Sequence, residues 1–180
     1  GFTSIMYDGS KLELNENIEK TANIVELGHK AGVSVEGEIG FVGYNEGRES
    51  LKTNPNEAKK FADETRCDAM AISVGNTHLQ VNKNTNVDIK DILAIQNLTD
   101  TALVLHGGSG IDLPLRAKVA KETNVCKFNI GTELRKTFGD SLRFSIKDNP
   151  DMYDKIQLLN STTDDIKSVA KIVLENLSKV

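Results

Sequence analysis

The sequence predicts an α/β protein in which a parallel β-sheet is covered by helices. Short apolar segments begin near residues 4, 33, 68, 102 and 125, and a segment with helical periodicity follows each of them. These segments start about 23 to 35 residues apart, which is the size of one βα unit. A length of 180 residues suits one domain, so we predict a single domain over residues 1–180.

The first two βα units are delimited by turn residues and a helix cap. Residues 4–7 form an apolar strand that a turn cluster ends, and helical periodicity then continues from about 15 to 30. Residues 33–39 predict the second strand. The helix predicted over 55–65 begins with proline in its first turn and has Asn54 as its N-cap.

The same alternation continues through the middle of the chain. Apolar runs predict strands over residues 68–74, 102–105 and 125–130. Periodic segments predict helices over 88–98 and 112–123. From residue 132 onward the pattern predicts two or three helices. The last of these, near 164–179, is expected to place five apolar side chains on one face: Ile166, Val169, Ile172, Val173 and Leu177.

Composition excludes several function classes. Hydrophobic residues make up 38% and charged residues 27% of the chain, which is enough apolar material for a packed core. The net charge is −4 and no basic block occurs, so we expect no nucleic-acid partner. No run of 18 uncharged apolar residues occurs, so we expect no membrane partner. Cys67 and Cys126 are predicted to be reduced thiols of a cytoplasmic protein.

The first residue is Gly1 rather than methionine, and the chain enters a predicted strand within a few residues. No charged leader followed by an apolar run precedes that strand, so no signal peptide is predicted. We therefore expect the true beginning of the domain to be missing from this sequence.

Polar residues follow the predicted strands at their carboxyl ends. Asp8, Glu38, His106 and Asn129 each stand at a strand terminus, and His78 lies just beyond one. The active site of a (β/α)8 barrel is at this rim, and an open doubly wound sheet also binds ligands at its carboxyl edge. The pattern therefore predicts a site without choosing between the two folds.

Two of the three histidines are candidate metal ligands. His78 and His106 follow neighbouring predicted strands, so both could contact one ion at the same rim. Their spacing is not a local metal-binding motif, and a pair of hydrogen-bonded loop histidines is the alternative. His29 lies on a predicted helix face and is expected to be structural.

Two loops are candidate phosphate sites. Gly107, Gly108 and Ser109 lie between a strand and a helix, where backbone N–H groups can turn toward an anion. The alternative is a tight turn with Asp112 as the cap of the next helix. Gly131 and Thr132 begin a second such loop, with Arg135 one turn later; the alternatives there are an ordinary helix cap and a solvated arginine.

Three glutamates are further candidates for this site. Glu36 and Glu38 lie two residues apart on one strand, so their side chains share a face of the sheet. They either point inward with a partner such as a cation, or face solvent or a salt bridge. Glu46 lies in a glycine-rich loop, where a mobile carboxylate could move protons.

Four segments together resemble the class II, metal-dependent ketose-bisphosphate aldolases, a family that includes fructose- and tagatose-bisphosphate aldolases. The segments are Ser4–Ser10, Val33–Gly40, Val104–Gly110 and Lys127–Leu134, and they occur in the family's order. The resemblance implies a TIM (β/α)8 barrel of which this chain supplies about strands 4 to 8 and the C-terminal helices. The missing N-terminal third would carry the family's catalytic aspartate and first histidine ligand.

The resemblance also implies roles for particular residues. His78 and His106 match zinc-ligand histidines, and Glu38 matches an alternative or second metal ligand. Glu46 matches the loop glutamate linked to proton exchange. The residues that stand at or beside the family's phosphate- and substrate-binding positions are Gly107, Gly108, Ser109, Asn129, Gly131, Thr132 and Arg135.

The function that this resemblance implies is reversible aldol cleavage of a phosphorylated ketose to dihydroxyacetone phosphate and an aldehyde. The expected cofactor is Zn²⁺ or another divalent metal, with a monovalent cation as a further candidate, and the expected assembly is a homodimer or homotetramer. Leu79 stands where the family often has a glycine that contacts phosphate and a monovalent cation, so it departs from the family at that contact. Gly131 replaces the aspartate usual in fructose enzymes, is closer to tagatose-type members and leaves the aldehyde partner open. Two alternatives are a Schiff-base aldolase that uses Lys127 and a non-catalytic phosphosugar-binding remnant.

Overall fold

A computed structural model of the chain describes residues 1–41, 51–76 and 87–178. Within these ranges five strands alternate with helices, and three helices follow the last strand. In chain order the elements are β1 Ser4–Tyr7, α1 Leu14–Lys30, β2 Ser34–Ile39, α2 Pro55–Thr65, β3 Ala69–Ile72, α3 Ile89–Gln96, β4 Ala102–Leu105, α4 Leu113–Glu122, β5 Val125–Phe128, α5 Thr132–Asp148, α6 Lys155–Asn160 and α7 Thr163–Leu177.

The five strands form one parallel sheet in the order β1-β2-β3-β4-β5. The predicted parallel α/β fold is therefore confirmed. Among the described strands the order never reverses, and each strand pairs with the strand that precedes it in the chain. A doubly wound sheet changes direction at its switch point, whereas barrels wind in one direction. The observed order is that of barrel-type winding.

The two faces of the sheet differ in chemistry. One face is apolar and packs in the core with the helices, through Val35, Ile39, Met70, Ile72, Leu103 and Leu105. Because side chains alternate along a strand, the residues between them point to the opposite face. That face carries Glu36 and Glu38 of β2, and Lys127 of β5 lies opposite Val104 of β4. The functional groups are thereby separated from the core.

Gly37 lies between the two glutamates on the apolar face of β2. A Cβ atom at this position would lie 2.9 Å from the Phe61 ring and 3.1 Å from the Thr21 side chain. Glycine is required because α1 and α2 approach the strand so closely. This close packing holds β2, and with it both glutamates, against the helices.

Helix starts match the sequence closely, whereas some strand ends do not. The Asn54 side chain accepts from the backbone N–H groups of Asn56 and Glu57, and Asp112 accepts from that of Leu115, so both caps stand where the sequence placed them. β3 ends at Ile72 and β5 at Phe128, two residues earlier than predicted. The predicted strands were too long because apolar residues continue past the last residue that pairs with a neighbouring strand.

The C-terminal region forms three helices, the upper of the two predicted numbers. α7 packs against α4 and α5, and its most buried side chain is Val173. Ile172 was predicted on the same face but is 52% exposed, so this part of the prediction is wrong. Adjacent residues on a helix are separated by about 100°, so Ile172 turns away from the side of the helix on which Val173 is buried.

Both cysteines are free, as predicted. Cys67 is buried and Cys126 is exposed. Burial raises the pKa of the Cys67 thiol above its usual value. Among the described residues, no helix combines the length and the apolar character needed to cross a membrane.

His29 has a structural partner, as predicted. Its Nε2 atom lies 2.8 Å from Oδ2 of Asp68, and the same oxygen accepts a 2.7 Å hydrogen bond from the Val35 N–H. Burial raises the pKa of the Asp68 carboxyl, but these hydrogen bonds outweigh burial, and the pKa lies below its ordinary value of 3.8. Asp68 thus joins the end of α1 to the beginnings of β2 and β3.

The lowered pKa predicts a pH-dependent contribution of Asp68 to stability. The contribution is present above the ordinary pKa and is lost as the pH falls through the lowered value of the folded state. We expect Asp68→Asn to lower the free energy of unfolding by about 1 kcal/mol or less at pH 7, because the carboxylate is partly solvated. Urea unfolding at pH 7 and pH 3 should show the difference from wild type shrinking at pH 3.

The control for this prediction is Asp63→Asn, which removes an exposed carboxylate that pairs with Lys59 within α2. It should change the urea midpoint less at pH 7. An Asp68→Asn effect that grows on acidification would contradict the assigned role of the Asp68 carboxylate.

Candidate active site

Three strands place four charged side chains together at the polar face of the sheet. His106, directly after β4, has Nε2 3.0 Å from Oε1 of Glu36 and Nδ1 3.2 Å from Oε2 of Glu38. The other oxygen of Glu36 accepts a 2.6 Å hydrogen bond from Nζ of Lys127 on β5. We call these four residues the His106 cluster. It unites β2, β4 and β5.

Burial and charge balance govern this cluster. The side chains of His106, Glu36 and Glu38 are only 5–6% exposed, whereas Lys127 is half exposed. Burial lowers the pKa of His106, but its hydrogen bonds to both glutamates more than reverse this and raise it to about 9. Two carboxylates therefore face an imidazolium and an ammonium ion, and this pairing offsets the cost of burying them.

The partners also decide between the two interpretations of Glu36 and Glu38. Burial raises the pKa of Glu36, but the hydrogen bonds from His106 and Lys127 lower it by more than burial raises it. The pKa of Glu36 therefore lies below its ordinary value. Both carboxylates point away from bulk solvent and into the cluster. The carboxylates are therefore buried and form ion pairs with protein side chains, and the solvent-facing interpretation is wrong.

The donor set suits a divalent cation such as Zn²⁺ in part. Imidazole nitrogen and carboxylate oxygen are ligands that zinc takes, and His106 Nδ1 and Glu38 Oε2 lie next to each other. Within residues 1–41, 51–76 and 87–178, no three side chains form a complete metal-ligand group. His78 and Glu46 lie outside the described residues, so their assigned roles stay predictions.

The two predicted phosphate loops lie side by side. Gly107 has a φ of 66°, a left-handed conformation that favours glycine, and residues 108–110 form one 3₁₀ turn. The Ser109 hydroxyl accepts from the backbone N–H groups of Gly131 and Glu133, at 3.2 and 3.3 Å. Ser109 therefore joins the glycine loop to the start of α5.

Backbone hydrogen bonds fix the remaining predicted residues of this edge. The Gly108 N–H donates to the Asn129 carbonyl at 3.1 Å, and the Asn129 N–H donates to the Leu105 carbonyl at 2.9 Å.

Thr132 is the first residue of α5, and Gly131 rather than Thr132 occupies the N-cap position. The Arg135 side chain is exposed and bends back to the Gly131 carbonyl. Asp8 instead makes a local turn with Ser10.

A fully buried arginine forms hydrogen bonds with residues of both predicted phosphate loops. Arg116 of α4 donates to Glu133 at 2.8 Å, to Asn176 of α7 at 2.8 Å and to the Gly108 carbonyl at 3.4 Å. In the described part of the chain its remaining nitrogen, Nη2, has no hydrogen-bond partner. The sequence offered no signal for Arg116, because a single arginine on an amphipathic helix usually faces solvent.

Asn76 is a second residue that sequence reasoning missed. It is buried, and its Nδ2 donates to the His106 carbonyl at 2.9 Å, which holds the segment after β3 against the end of β4. Glu36 and Lys127 carried a partial signal, because each is two residues from a predicted site residue on its own strand.

A cavity of about 230 Å³ lies beside the predicted site. Its lining includes Ser10, Asn17, Ile39, Thr53 and Glu57 but no residue of the His106 cluster. Asn17 connects the two regions, since its Nδ2 donates to the Glu38 carbonyl at 2.8 Å.

Comparison with known proteins decides the family. The model of the class-II fructose-bisphosphate aldolase family matches residues 1–180, the whole chain. The chain belongs to this family. A fructose-bisphosphate aldolase of Mycoplasma genitalium is 37% identical over an alignment 174 positions long, which covers 91% of this chain and 59% of the relative.

Solved class II aldolases have the same fold. The YdjI aldolase of Escherichia coli K12 superposes with a TM-score of 0.81 at 27% identity, over 99% of this chain and 61% of that one. A fructose-bisphosphate aldolase of Campylobacter jejuni gives 0.80 at 25% identity, over 99% and 60%. The chain therefore spans about three fifths of the length of the aldolases it matches.

Proposed function

We propose that this chain is the C-terminal part of a metal-dependent ketose-bisphosphate aldolase, and that its sheet supplies strands 4 to 8 of a (β/α)8 barrel. The single observation that carries the proposal is His106, held between Glu36 and Glu38 at the same sheet edge as two anion-type loops. Family membership and barrel-type strand order support it.

The proposed reaction is reversible cleavage of the bond between C3 and C4 of a phosphorylated ketose, giving dihydroxyacetone phosphate and an aldehyde. When bound, Zn²⁺ or another divalent metal would polarise the substrate carbonyl as a Lewis acid. His78, His106 and Glu38 would hold this metal. A monovalent cation beside the phosphate is a further candidate.

The chain's own residues would bind and orient the substrate. Gly107, Gly108 and Ser109 would hold the phosphate of the dihydroxyacetone end, because backbone N–H groups and a helix N-terminus favour an anion. Asn129, Gly131 and Thr132 would line the same end. Glu46 would move a proton at the carbon next to the carbonyl.

The identity of the sugar depends on the opposite end. Arg135 lies at the start of α5 and is exposed, so its guanidinium could reach the second phosphate of a ketose bisphosphate. Fructose- and tagatose-1,6-bisphosphate differ only in configuration at C4 and are the two substrates to compare. A homodimer or homotetramer in the cytoplasm completes the proposal.

The Schiff-base alternative assigns the chemistry to Lys127. Its Nζ lies 2.6 Å from a Glu36 oxygen, in an ion pair that the charged ammonium form makes. A lysine nucleophile must be neutral, so this pairing favours the metal-dependent reaction. The remnant alternative predicts phosphosugar binding without cleavage.

The test is aldol cleavage by the complete gene product. After treatment with a chelator we expect cleavage of the ketose bisphosphate to fall to background, and added Zn²⁺ should restore it. Comparing fructose- and tagatose-1,6-bisphosphate under the same conditions identifies the preferred sugar.

Two controls accompany this experiment. Chelator that is saturated with Zn²⁺ beforehand should leave the rate unchanged. Borohydride treatment in the presence of substrate should form no covalent adduct at Lys127. Activity that survives the chelator together with a borohydride-trapped adduct would contradict the proposal.

A further inference from the structure

Glu36 has a position that the proposed metal-ligand set does not explain. Its carboxylate contacts Nε2 of His106, while Glu38 contacts Nδ1, so the two glutamates lie on opposite sides of the same ring. Only one of the two ring nitrogens can bind a given metal ion. The other nitrogen must then be occupied by a different partner.

The positions of the two carboxylates assign these nitrogens. Glu38 is itself a proposed ligand, so a metal that both residues share must lie on the Nδ1 side of the ring. Nε2 then carries the hydrogen and donates it to Oε1 of Glu36, 3.0 Å away. A carboxylate that accepts from the second nitrogen of a metal-binding histidine fixes both the tautomer and the orientation of the ring.

Lys127 holds Glu36 in turn. Its Nζ donates to Oε2, the glutamate oxygen that His106 does not use, at 2.6 Å. The ammonium ion supplies a charge partner for a carboxylate that is 5% exposed. Lys127 on β5 lies opposite Val104 on β4, two residues before His106, and so approaches from the strand next to the histidine.

We propose that Glu36 and Lys127 are positioning residues that orient His106 so that its Nδ1 atom faces the metal beside Glu38. This inference rests on the proposed function, because it concerns the metal of that same site. Neither residue is expected to contact the metal itself. The geometry that carries it is the chain of contacts from Lys127 through Glu36 to His106.

The test measures metal binding rather than turnover. Zn²⁺ affinity is determined for the complete gene product by competition with a chromogenic chelator, and the Co²⁺ form is examined by visible absorption. We expect Glu36→Gln and Lys127→Met each to weaken Zn²⁺ binding by about 10- to 100-fold. The Co²⁺ bands of both variants should shift, because the His106 ring is no longer held in one orientation.

Matched controls separate positioning from general loss of charge. Glu26→Gln and Lys30→Met make the same substitutions in an exposed ion pair of α1 and should leave both measurements unchanged. Lys127→Arg should retain near wild-type affinity, because arginine can also donate to Glu36.

The double variant Glu36→Gln/Lys127→Met guards against misfolding, because it removes the pair without leaving a buried carboxylate unpaired. If either single variant loses its circular dichroism, the double variant is measured instead, and we expect the same affinity loss and spectral shift. Wild-type affinity and an unchanged Co²⁺ spectrum in a folded variant would overturn the inference.

Failure of the proposed function has a different signature. In that case the wild-type protein would bind no Zn²⁺ and cleave no ketose bisphosphate. Failure of the positioning role alone would leave wild-type binding and cleavage intact, with variants that bind the metal equally well.

Discussion

Replacing His106 with alanine is expected to lower kcat/KM for ketose bisphosphate cleavage by about 1,000-fold. The substitution removes a proposed metal ligand. Lewis-acid activation of a carbonyl lowers the activation barrier by several kcal/mol, and each 1.4 kcal/mol, roughly, changes the rate tenfold. It also leaves Glu36 and Glu38 without the imidazole between them. Steady-state cleavage at saturating Zn²⁺ measures the loss, and Zn²⁺ binding should weaken in parallel.

The matched control is His29→Ala. His29 also contacts a carboxylate, that of Asp68, but it does so at the opposite end of the strands, where β2 and β3 begin. We expect its kcat/KM to stay within a few-fold of wild type. A His106→Ala enzyme that cleaves the substrate at the wild-type rate would contradict the assignment of His106 to the metal.

Replacing Arg116 with methionine is expected to lower the free energy of unfolding by about 3 kcal/mol, because it removes the hydrogen bonds that a charged and fully buried side chain makes to three groups. Arg116 is completely buried and donates to Glu133, Asn176 and the Gly108 carbonyl. Methionine fills much of the same volume but makes none of these hydrogen bonds. Urea unfolding followed by circular dichroism measures the change.

Two further variants define the origin of this loss. Arg143→Met removes an exposed arginine that pairs with Asp140 on α5, and its unfolding free energy should stay within about 0.5 kcal/mol of wild type. Arg116→Met/Glu133→Gln should recover part of the loss, because it also removes the charge of the carboxylate that Arg116 contacts. A loss below about 1 kcal/mol in Arg116→Met would show that the buried arginine contributes little net stability.

Much of the candidate site was predictable because strand geometry is strict. Residues two apart on a strand share a face, so Glu36 and Glu38 had to point together. Parallel strands end at the same edge of the sheet, so His106, Ser109 and Asn129 had to lie near one another. Local chemistry also marked the caps at Asn54 and Asp112, because a side-chain oxygen can accept from N–H groups two or three residues later.

Other contacts were outside the reach of local patterns. Glu36 and Lys127 are 91 residues apart, and their ion pair exists only because β5 pairs with β4, β4 with β3 and β3 with β2. Arg116 reaches Asn176 across 60 residues, and helical periodicity alone would have placed a charged arginine in solvent. Ile172 shows the reverse case, since its apolar character predicted burial that the neighbouring helices do not provide.

The sequence by itself determined the alternation of strands and helices, the edge at which polar residues gather and the family to which its motifs belong. These features depend on residues that are near one another in the chain, where periodicity, capping and turn chemistry act. Only the tertiary structure decided that Glu36 and Glu38 point inward, that His106 is held between them and that Lys127 completes the cluster. The reason is that a buried charge can be tolerated only with partners, and those partners are supplied by strands that folding brings side by side.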